Sequence, residues 1–348
     1  MTIKKWHLKK MTKRIKEANN IVLDRTEINS KILSSGQFSS DNIFIKKFIS
    51  QNEEDEKEPI KYISLLKKEN VQYSGMLNDS FLKEGYGLEI YSNGDKYFGQ
   101  YYSDLRNDNG IYYSAPEKNE DNDNIKTECY MGQWKNNLKD KYGIYIWMEE
   151  PQYNNEYENS NFDAYIGEFE DEKYIRGSYL TKLNNEFSIY HGNFDRQGKK
   201  SDDNAYFYSS KTNNIFHGEI KNDIMVSGYL GFFEENKDEV VKLLFCIFNK
   251  DGTVYDVIEE KDLKMSEDDI LDKKKKIENF RKIILEFDYF GKIYSKFKKI
   301  KYKIDDLEDI TYLLENEENI KGIDKILDKF NKKNIFYSIE ENFFGREL

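Results

Sequence analysis

One short pattern recurs along the middle of the chain. It reads tyrosine or phenylalanine, any residue, then glycine, and an aromatic or large apolar residue usually follows two positions later. Its six copies begin at Tyr73, Tyr97, Tyr130, Tyr165, Tyr190 and Phe216. About a dozen residues after each copy, a second β-prone stretch opens at a small residue, namely Gly87, Gly110, Gly143, Gly177, Ala205 and Gly228. Internal repetition of this kind is typical of a fold built from stacked copies of one small unit.

Each copy predicts a hairpin made of a strand, a turn and a second strand. Because side chains alternate between the two faces of a strand, the first aromatic residue, the glycine and the next aromatic residue share one face. We expect the glycine to leave a gap that a ring of the neighbouring hairpin fills. A lone hairpin is marginally stable in water, whereas stacked hairpins bury a continuous ladder of rings. The predicted repeat core is Tyr73, Gly75, Gly85, Gly87, Tyr97, Gly99, Tyr101, Gly110, Tyr130, Gly132, Trp134, Gly143, Tyr165, Gly167, Phe169, Tyr190, Gly192, Phe194, Phe216 and Gly218.

The pattern resembles the MORN repeat family, whose unit reads approximately Tyr-x-Gly-x-Trp, a polar turn, then Gly-x-Gly and a short aromatic strand. The resemblance covers residues 73–233, and Gly85-Tyr86-Gly87 supplies the full paired glycine. The spacing between copies is uneven, so the array is degenerate and interrupted. The resemblance implies a mainly β, elongated array of stacked hairpins. It also implies a non-catalytic scaffold or adaptor in a cytoskeletal, axonemal (ciliary) or membrane-adjacent assembly, with protein partners and, further, phospholipid headgroups.

Two insertions, residues 114–129 and 148–164, lengthen the spacing between copies. Both are rich in acidic residues mixed with asparagine. One interpretation is that they are solvated loops, since runs of charge usually are. The other is an acidic dock for a basic partner, formed by Glu117, Glu120, Asp121, Asp123, Glu149, Glu150, Glu156 and Glu158.

Residues 1–72 form a basic arm, a linker and a possible capping strand at 62–66. Seven bases precede the first acid, Glu17, and an apolar residue recurs every three or four positions between Leu8 and Val22, as in an amphipathic helix. Such a helix can dock on the protein's own body or a partner, bind an anionic membrane, or act as an import signal. Residues 51–58 read as a linker. The residues predicted to make contact are Lys4, Lys5, Trp6, Lys9, Lys10, Lys13, Arg14 and Lys16.

The sequence after Phe233 changes in character. Residues 234–265 predict a capping hairpin, with the turn signal Asn249-Lys250-Asp251-Gly252 between two apolar runs. From Ser266, an N-cap candidate followed by three acids, residues 266–348 read as a helical domain. Its first stripe is Ile277, Phe280, Ile284 and Phe287, and we expect this stripe to be core.

Composition excludes several classes of protein. Aromatic residues make up 15% of the 348 residues, which disfavours a disordered chain. The longest apolar run, 243–248, is far too short to span a bilayer, and two cysteines cannot build a disulfide framework. No apolar stretch follows the basic start to suggest secretion. We therefore expect a cytoplasmic protein, associated with the cytoskeleton or a membrane. The formal net charge of −11 makes nucleic acid an unlikely partner, except through the basic arm.

The sequence offers little catalytic chemistry. His191 and His217 occupy the same slot of two repeats, beside the glycine, and we expect both to be exposed on the face away from the tyrosines. Cys129 and Cys246 lack the spacing of a metal site, and neither a phosphate-binding loop nor a dinucleotide-binding loop is present. We predict no enzyme activity, no cofactor and no metal. A peripheral membrane organiser that binds anionic phospholipid through the basic helix remains the alternative to a protein scaffold.

Overall fold

The computed structural model describes residues 44–45, 48–50 and 61–286, except 69–70, 79, 81, 119–123, 152–160, 184–185 and 235–238. Strands dominate these residues. They are β1 (Phe44–Ile45), β2 (Phe48–Ser50), β3 (Lys61–Lys68), β4 (Val71–Leu77), β5 (Lys83–Tyr91), β6 (Lys96–Tyr102), β7 (Leu105–Tyr113), β8 (Glu117–Lys118), β9 (Asn124–Lys135), β10 (Leu138–Pro151), β11 (Asn161–Glu170), β12 (Lys173–Leu183), β13 (Glu186–Asn193), β14 (Asp202–Ser209), β15 (Asn214–Lys221), β16 (Ile224–Phe233), β17 (Val240–Phe248) and β18 (Val254–Glu259). The one α-helix within the described residues, α1, spans Glu267–Glu286.

The described chain divides into two compact units. Unit 1 holds the described residues up to 115 together with 129–138, and unit 2 holds 116–128 and 139–286. In unit 1, β3 to β7 pair antiparallel in succession, and β7 pairs with β9. In unit 2, β10 to β18 pair antiparallel in the same way. Consecutive antiparallel hairpins therefore build each unit, as the repeats predict.

The repeats lie on the strands where the sequence puts them. The six tyrosine or phenylalanine copies start on β4, β6, β9, β11, β13 and β15, and the six second halves lie on β5, β7, β10, β12, β14 and β16. The glycines of successive strands face one another. In unit 1 the facing row is Gly75, Gly87, Gly99, Gly110 and Gly132. In unit 2 it runs through Gly143, Gly167, Gly177 and Gly192, and then through Ala205, Gly218 and Gly228.

The tyrosine of each repeat lies over this glycine row, on what we call the tyrosine face. A Cβ added to Gly99 would come within 2.5 Å of the Tyr97 hydroxyl oxygen, and one added to Gly110 within 2.3 Å of the same atom. The expectation that a neighbouring hairpin's ring fills the gap is therefore wrong. The ring belongs to the residue two positions earlier on the same strand, and it covers its own glycine as well as the glycine opposite.

A hydrogen bond fixes four of these six rings. The tyrosine hydroxyl donates to the backbone carbonyl three residues further along its own strand, at 2.5 to 3.1 Å; the pairs are Tyr97 to Gln100, Tyr130 to Gln133, Tyr165 to Glu168 and Tyr190 to Asn193. This bond requires the ring to lie forward along its own strand, over the residue two positions on, where a Cβ would collide with it and only glycine fits. The Tyr-x-Gly pattern is thus explained within a single strand.

The second aromatic residue of each repeat extends the rings into a ladder. It packs edge-on against its own tyrosine with centroids 5.0 to 5.2 Å apart, as in Tyr97 with Tyr101 and Tyr130 with Trp134. It also meets the tyrosine of the preceding repeat, since Tyr101 contacts Tyr73 at 5.6 Å and Trp134 contacts Tyr97 at 5.3 Å. In unit 2, Phe194 links Tyr165 and Tyr190 in the same manner. Edge-to-face packing is a favoured aromatic geometry.

Two-residue turns join the strands of four hairpins. Both central residues have positive φ, as a type I′ turn requires; the pairs are Ser103-Asp104, Asn136-Asn137, Asp171-Glu172 and Asn222-Asp223. The second turn residue also binds the preceding hairpin through its backbone N–H and its side chain. Asp223 donates its N–H to the Lys200 carbonyl, and its carboxylate accepts the Lys200 N–H, both at 3.0 Å. We call this pair of hydrogen bonds the latch. The same latch joins Asp104 to Lys83, Asn137 to Arg106 and Glu172 to Lys139.

The predicted connecting turns are confirmed. Gly94 and Gly252 have positive φ and close tight turns by donating their N–H groups to the carbonyls of Tyr91 and Asn249, each at 2.9 Å. The hairpin predicted after Phe233 is the pair β17 and β18, and its role as a cap stays a prediction. The capping strand predicted at 62–66 lies within β3.

The loop interpretation of the two insertions is wrong for their flanks. Strands β9, β10 and β11 extend well into residues 114–129 and 148–164. Their apolar residues are buried, as Cys129, Met148, Phe162 and Ala164 demonstrate. The acidic residues suggested a solvated loop, but the alternating apolar residues determine the structure of these flanks.

Helix α1 packs across β15, β16 and β17. Ser266 caps its N-terminus by accepting the Asp269 N–H at 3.1 Å, and Ile277, Phe280 and Ile284 are buried, as the stripe predicts. The helix lies on the face opposite the tyrosines, because it covers the histidines that alternate with them.

Both described histidines are buried, so the prediction that they are exposed is wrong. His191 is 0% exposed and bonds the Ser178 hydroxyl through Nδ1 at 2.9 Å. The ring of Tyr206 stacks between His217 and Phe280, at 4.2 and 4.7 Å. Alternation placed the side chains on the correct face, but nothing in the repeats indicates that a later helix covers that face.

The basic arm with its predicted helix, the linker at 51–58 and the helical domain beyond Glu286 lie outside the described residues. In the part of the chain that the structure describes, no helix combines the length and apolarity needed to cross a membrane.

Candidate binding surface

Four basic residues lie on the tyrosine face, next to the two-residue turns. They are the latched residues Lys83 and Arg106 in unit 1, and Lys139 and Lys200 in unit 2. Each lies over at least one aromatic ring, with the cation 4.5 to 5.7 Å from a ring centroid. A cation over a ring face is held by the ring quadrupole. The latch therefore places each backbone, and the rings place each side chain.

Arg106 fills a cage of four rings in unit 1. Its guanidinium lies 4.6 Å from the centroid of Tyr97 and 5.2 Å from that of Trp134, with Tyr91 and Tyr112 at 5.5 and 5.6 Å. Its Nη2 also donates to the Tyr91 hydroxyl oxygen. The cage is thus occupied by a side chain of the same unit.

Glu89 supplies the carboxylate of this cage. Its side chain is only 6% exposed and lies 3.8 Å from the Arg106 guanidinium; it also pairs with Lys83 and accepts the Tyr91 hydroxyl at 2.5 Å. Burial alone would raise the pKa of Glu89, but Lys83, Tyr91 and Arg106 together lower it below the usual value. The carboxylate therefore stays charged between its two cations.

A second group of four rings lies on the tyrosine face of unit 2. We call it the Trp147 cluster: Tyr145 and Trp147 on β10, and Tyr174 and Tyr179 on β12. The ring centroids of the other three lie 4.0, 6.3 and 6.4 Å from that of Trp147. All four rings are half-buried, unlike the repeat-core tyrosines.

Asp163 lies between the two strands of the Trp147 cluster. It sits on β11 directly opposite Trp147 on one side and Thr181 on the other. Its Oδ1 is buried, and no described residue donates a hydrogen bond to that atom. The Asp163 charge acts on the nearby Lys200 ammonium group. Burial and the Asp163 charge raise the pKa of Tyr179 to about 12.

The predicted repeat core is largely buried and is therefore packing rather than binding surface. Its first tyrosine or phenylalanine in each copy is 3% exposed or less. Of the second aromatic residues, only Phe194 is half-buried, while Tyr101, Trp134 and Phe169 are buried.

The structure places few members of the predicted acidic dock. Glu117 is exposed on β8, Glu149 is half-buried on β10, and Glu150 follows it on the same strand. The other five, Glu120, Asp121, Asp123, Glu156 and Glu158, lie outside the described residues. The acidic dock therefore stays a prediction.

Sequence reasoning missed the residues that give the surface its chemistry. A usable signal existed for the bases, since Lys83, Arg106 and Lys139 each stand four residues before a second-strand glycine. Asp163 stands two residues before Tyr165, so alternation places it on the tyrosine face.

Metal chemistry finds no support in the described ranges. No group of three or more His, Cys, Asp or Glu side chains in those ranges is arranged to hold a metal ion. Burial lowers the pKa of His191 to about 3 and that of His217 to about 4, and it raises the pKa of both cysteine thiols.

No protein-family model matches the chain, and no curated protein matches it in sequence.

Proposed function

We propose that this protein is a non-catalytic scaffold or adaptor that binds other proteins through the exposed part of its tyrosine face. The assembly is cytoskeletal, axonemal or membrane-adjacent, as the MORN-like repeats imply. The observation that carries the proposal is the Trp147 cluster, four half-buried rings held on adjacent hairpins. Partly exposed aromatic residues on a rigid framework are the usual anchors of protein interfaces.

The buried residues support the same role. The repeat tyrosines, the glycine row and both described histidines are committed to packing. The described cysteines are buried thiols whose pKa burial raises, which disfavours a nucleophilic role.

Crosslinking in native cells tests the proposal. The tagged full chain is captured after treatment with a lysine-reactive crosslinker, and crosslinked peptides are identified by mass spectrometry. We expect a stoichiometric protein partner whose crosslinks include Lys139 or Lys200 on the tyrosine face. Lys250, in the turn before β18, is the matched reference. A chain that is monomeric in cell extract, or crosslinks spread equally over all lysines, would contradict the proposal.

The alternative function rests on the basic arm. Seven bases before the first acid favour binding of the arm to anionic phospholipid. The test is sedimentation with phosphatidylserine vesicles of the full chain and of a variant with these seven bases changed to glutamine. Loss of pelleting in the variant supports membrane anchoring through the arm, and equal pelleting eliminates it.

A further inference from the structure

The two units carry similar groups on their tyrosine faces, but among the described residues only in unit 1 does one cation lie over all four rings. In unit 1, four rings and the Glu89 carboxylate surround the Arg106 guanidinium. In unit 2, Asp163 lies opposite Trp147 in the sheet, and its charge helps to raise the pKa of Tyr174 and of Tyr179. Each site combines four aromatic rings with a central carboxylate, Glu89 or Asp163. In each, a second carboxylate accepts one ring hydroxyl, Asp95 that of Tyr112 and Glu128 that of Tyr145.

The bases of unit 2 do not take the central position. Lys139 lies 4.5 Å from the Tyr145 centroid but is bound to the Glu172 carboxylate at 2.5 Å. Lys200 lies over Tyr179 and Tyr190. Neither lysine lies over Trp147 or Tyr174. The Asp163 charge interacts with that of Lys200, but no described residue donates a hydrogen bond to Asp163 Oδ1.

A buried carboxylate oxygen without a partner is costly, and the cost falls when a cation joins it. Rings of Trp and Tyr attract the same cation through their faces. From this charge complementarity we propose that the Trp147 cluster and Asp163 bind an arginine or lysine side chain from a basic segment of a partner protein. The proposal rests on the proposed scaffold function and specifies the chemistry of its partner.

The partner's cation lies beside Trp147 and Tyr174, whereas Lys139 keeps the repeat position that Arg106 holds in unit 1. The planar guanidinium stacks on aromatic faces and can donate two parallel hydrogen bonds to one carboxylate, so arginine is preferred over lysine. Asp163 anchors the cation, and the rings of Trp147 and Tyr174, which stand at 80° to each other, attract it through their faces. We expect the binding to be weak for a single side chain and to strengthen with salt removal.

The test uses the full chain labelled with 5-fluorotryptophan, whose three resonances are assigned by single Trp→Phe variants. The probe is a tetra-arginine peptide, compared with tetra-lysine and tetra-glutamate. We expect a saturable shift of the Trp147 resonance with tetra-arginine, a smaller one with tetra-lysine and none with tetra-glutamate. Asp163→Asn, which keeps the shape of the side chain, should weaken the binding about tenfold.

The matched control is Asp171→Asn, which removes an exposed acid from a turn of the same unit. Equal binding by wild type and Asp163→Asn would overturn the proposal, and so would equal weakening by Asp171→Asn. Circular dichroism spectra and melting temperatures verify that each variant is folded. If tetra-arginine fails while the crosslinked partner persists, this inference falls and the scaffold function stands.

The arm of the chain itself is the competing source of the cation. In a full chain whose seven arm bases are glutamine, the Trp147 resonance should stay where it is in wild type. A shift of that resonance in the absence of peptide would mean that the arm occupies the site, and would overturn a partner-derived cation.

Discussion

The hydroxyl of Tyr97 lies where a side chain on Gly110 would have to be, 2.3 Å from the Cβ that such a residue would carry. The ring crosses from β6 to β7 and is buried there. We expect Gly110→Ala to lower the free energy of unfolding by about 2–3 kcal/mol, because it overpacks a buried ring. Urea denaturation measures this loss of unfolding free energy. In combination with Tyr97→Leu, which removes the hydroxyl, the cost of Gly110→Ala should shrink; strictly additive effects would contradict the contact.

Trp134 is 5% exposed and bridges the rings of Tyr97 and Tyr130. Trp134→Ala should cost about 3–5 kcal/mol of unfolding free energy, since it leaves a cavity in the ladder and removes one wall of the Arg106 cage. Tyr102→Ala, at a ring that is 61% exposed on the same unit, should change stability by less than about 0.5 kcal/mol. A loss below about 1 kcal/mol for Trp134→Ala would show that the ladder is not a core.

Much of this fold follows from the sequence. The period-two pattern around each glycine fixes the strands and their faces, and the stripe of Ile277, Phe280 and Ile284 fixes the buried side of α1. What alternation cannot supply is the direction in which a ring leans, so Tyr97 covers its own strand's glycine rather than a neighbour's. Alternation also gives no sign that a distant part of the chain covers one face of the sheet. The burial of His191 therefore could not be predicted. The Trp147 cluster was not predicted, because Asp163 falls in an acid-rich stretch that resembles a solvated loop.

Glu89 is the buried anion between two cations. Glu89→Gln should destabilise the protein by about 3 kcal/mol or more, because Lys83 and Arg106 are left without their carboxylate. Glu172→Gln is the matched control: the side chain is partly exposed, and its amide oxygen can still accept the Lys139 N–H. We expect a loss under about 1 kcal/mol for the control. Similar losses for the two variants in thermal and urea unfolding would refute the role of Glu89.

Acidification should destabilise the protein through its buried histidines. The pKa values of His191 and His217 are about 3 and about 4 in the folded chain, against 6.5 for an ordinary histidine. Below pH 6.5 the unfolded chain therefore takes up protons that the folded chain refuses, and stability falls as pH decreases towards those folded values. The loss between pH 7 and pH 5 is on the order of 3 kcal/mol.

Urea titrations at several pH values measure this slope. His217→Phe keeps an aromatic ring for Tyr206 to stack on and removes one of the two titrating groups, so the slope should fall by about half. An unchanged slope would mean that His217 is accessible to protons in the folded chain.

Lys141 has positive φ although it carries a side chain, at the position where the first repeat has Gly85. Lys141→Gly should raise the free energy of unfolding by about 0.5–1 kcal/mol, because relief of the left-handed backbone exceeds the added chain entropy. Lys173→Gly, at an exposed strand residue outside the positive-φ set, should lower it by a similar amount. Differential scanning calorimetry distinguishes the two signs, and destabilisation by both changes would exclude backbone strain at Lys141.

The latch between successive hairpins joins a turn to main-chain atoms of its neighbour, and at Glu172 the Lys139 side chain adds an ion pair. The carboxylate or amide of the turn residue accepts an N–H, and its own N–H finds a carbonyl, whatever side chain stands between them. The main-chain bonds of the latch therefore do not depend on which hairpin lies next to it. Whole hairpins can therefore be gained, lost or exchanged in evolution while the joint between the remaining ones stays intact, and the side chains that line the surface are left to diverge towards new ligands.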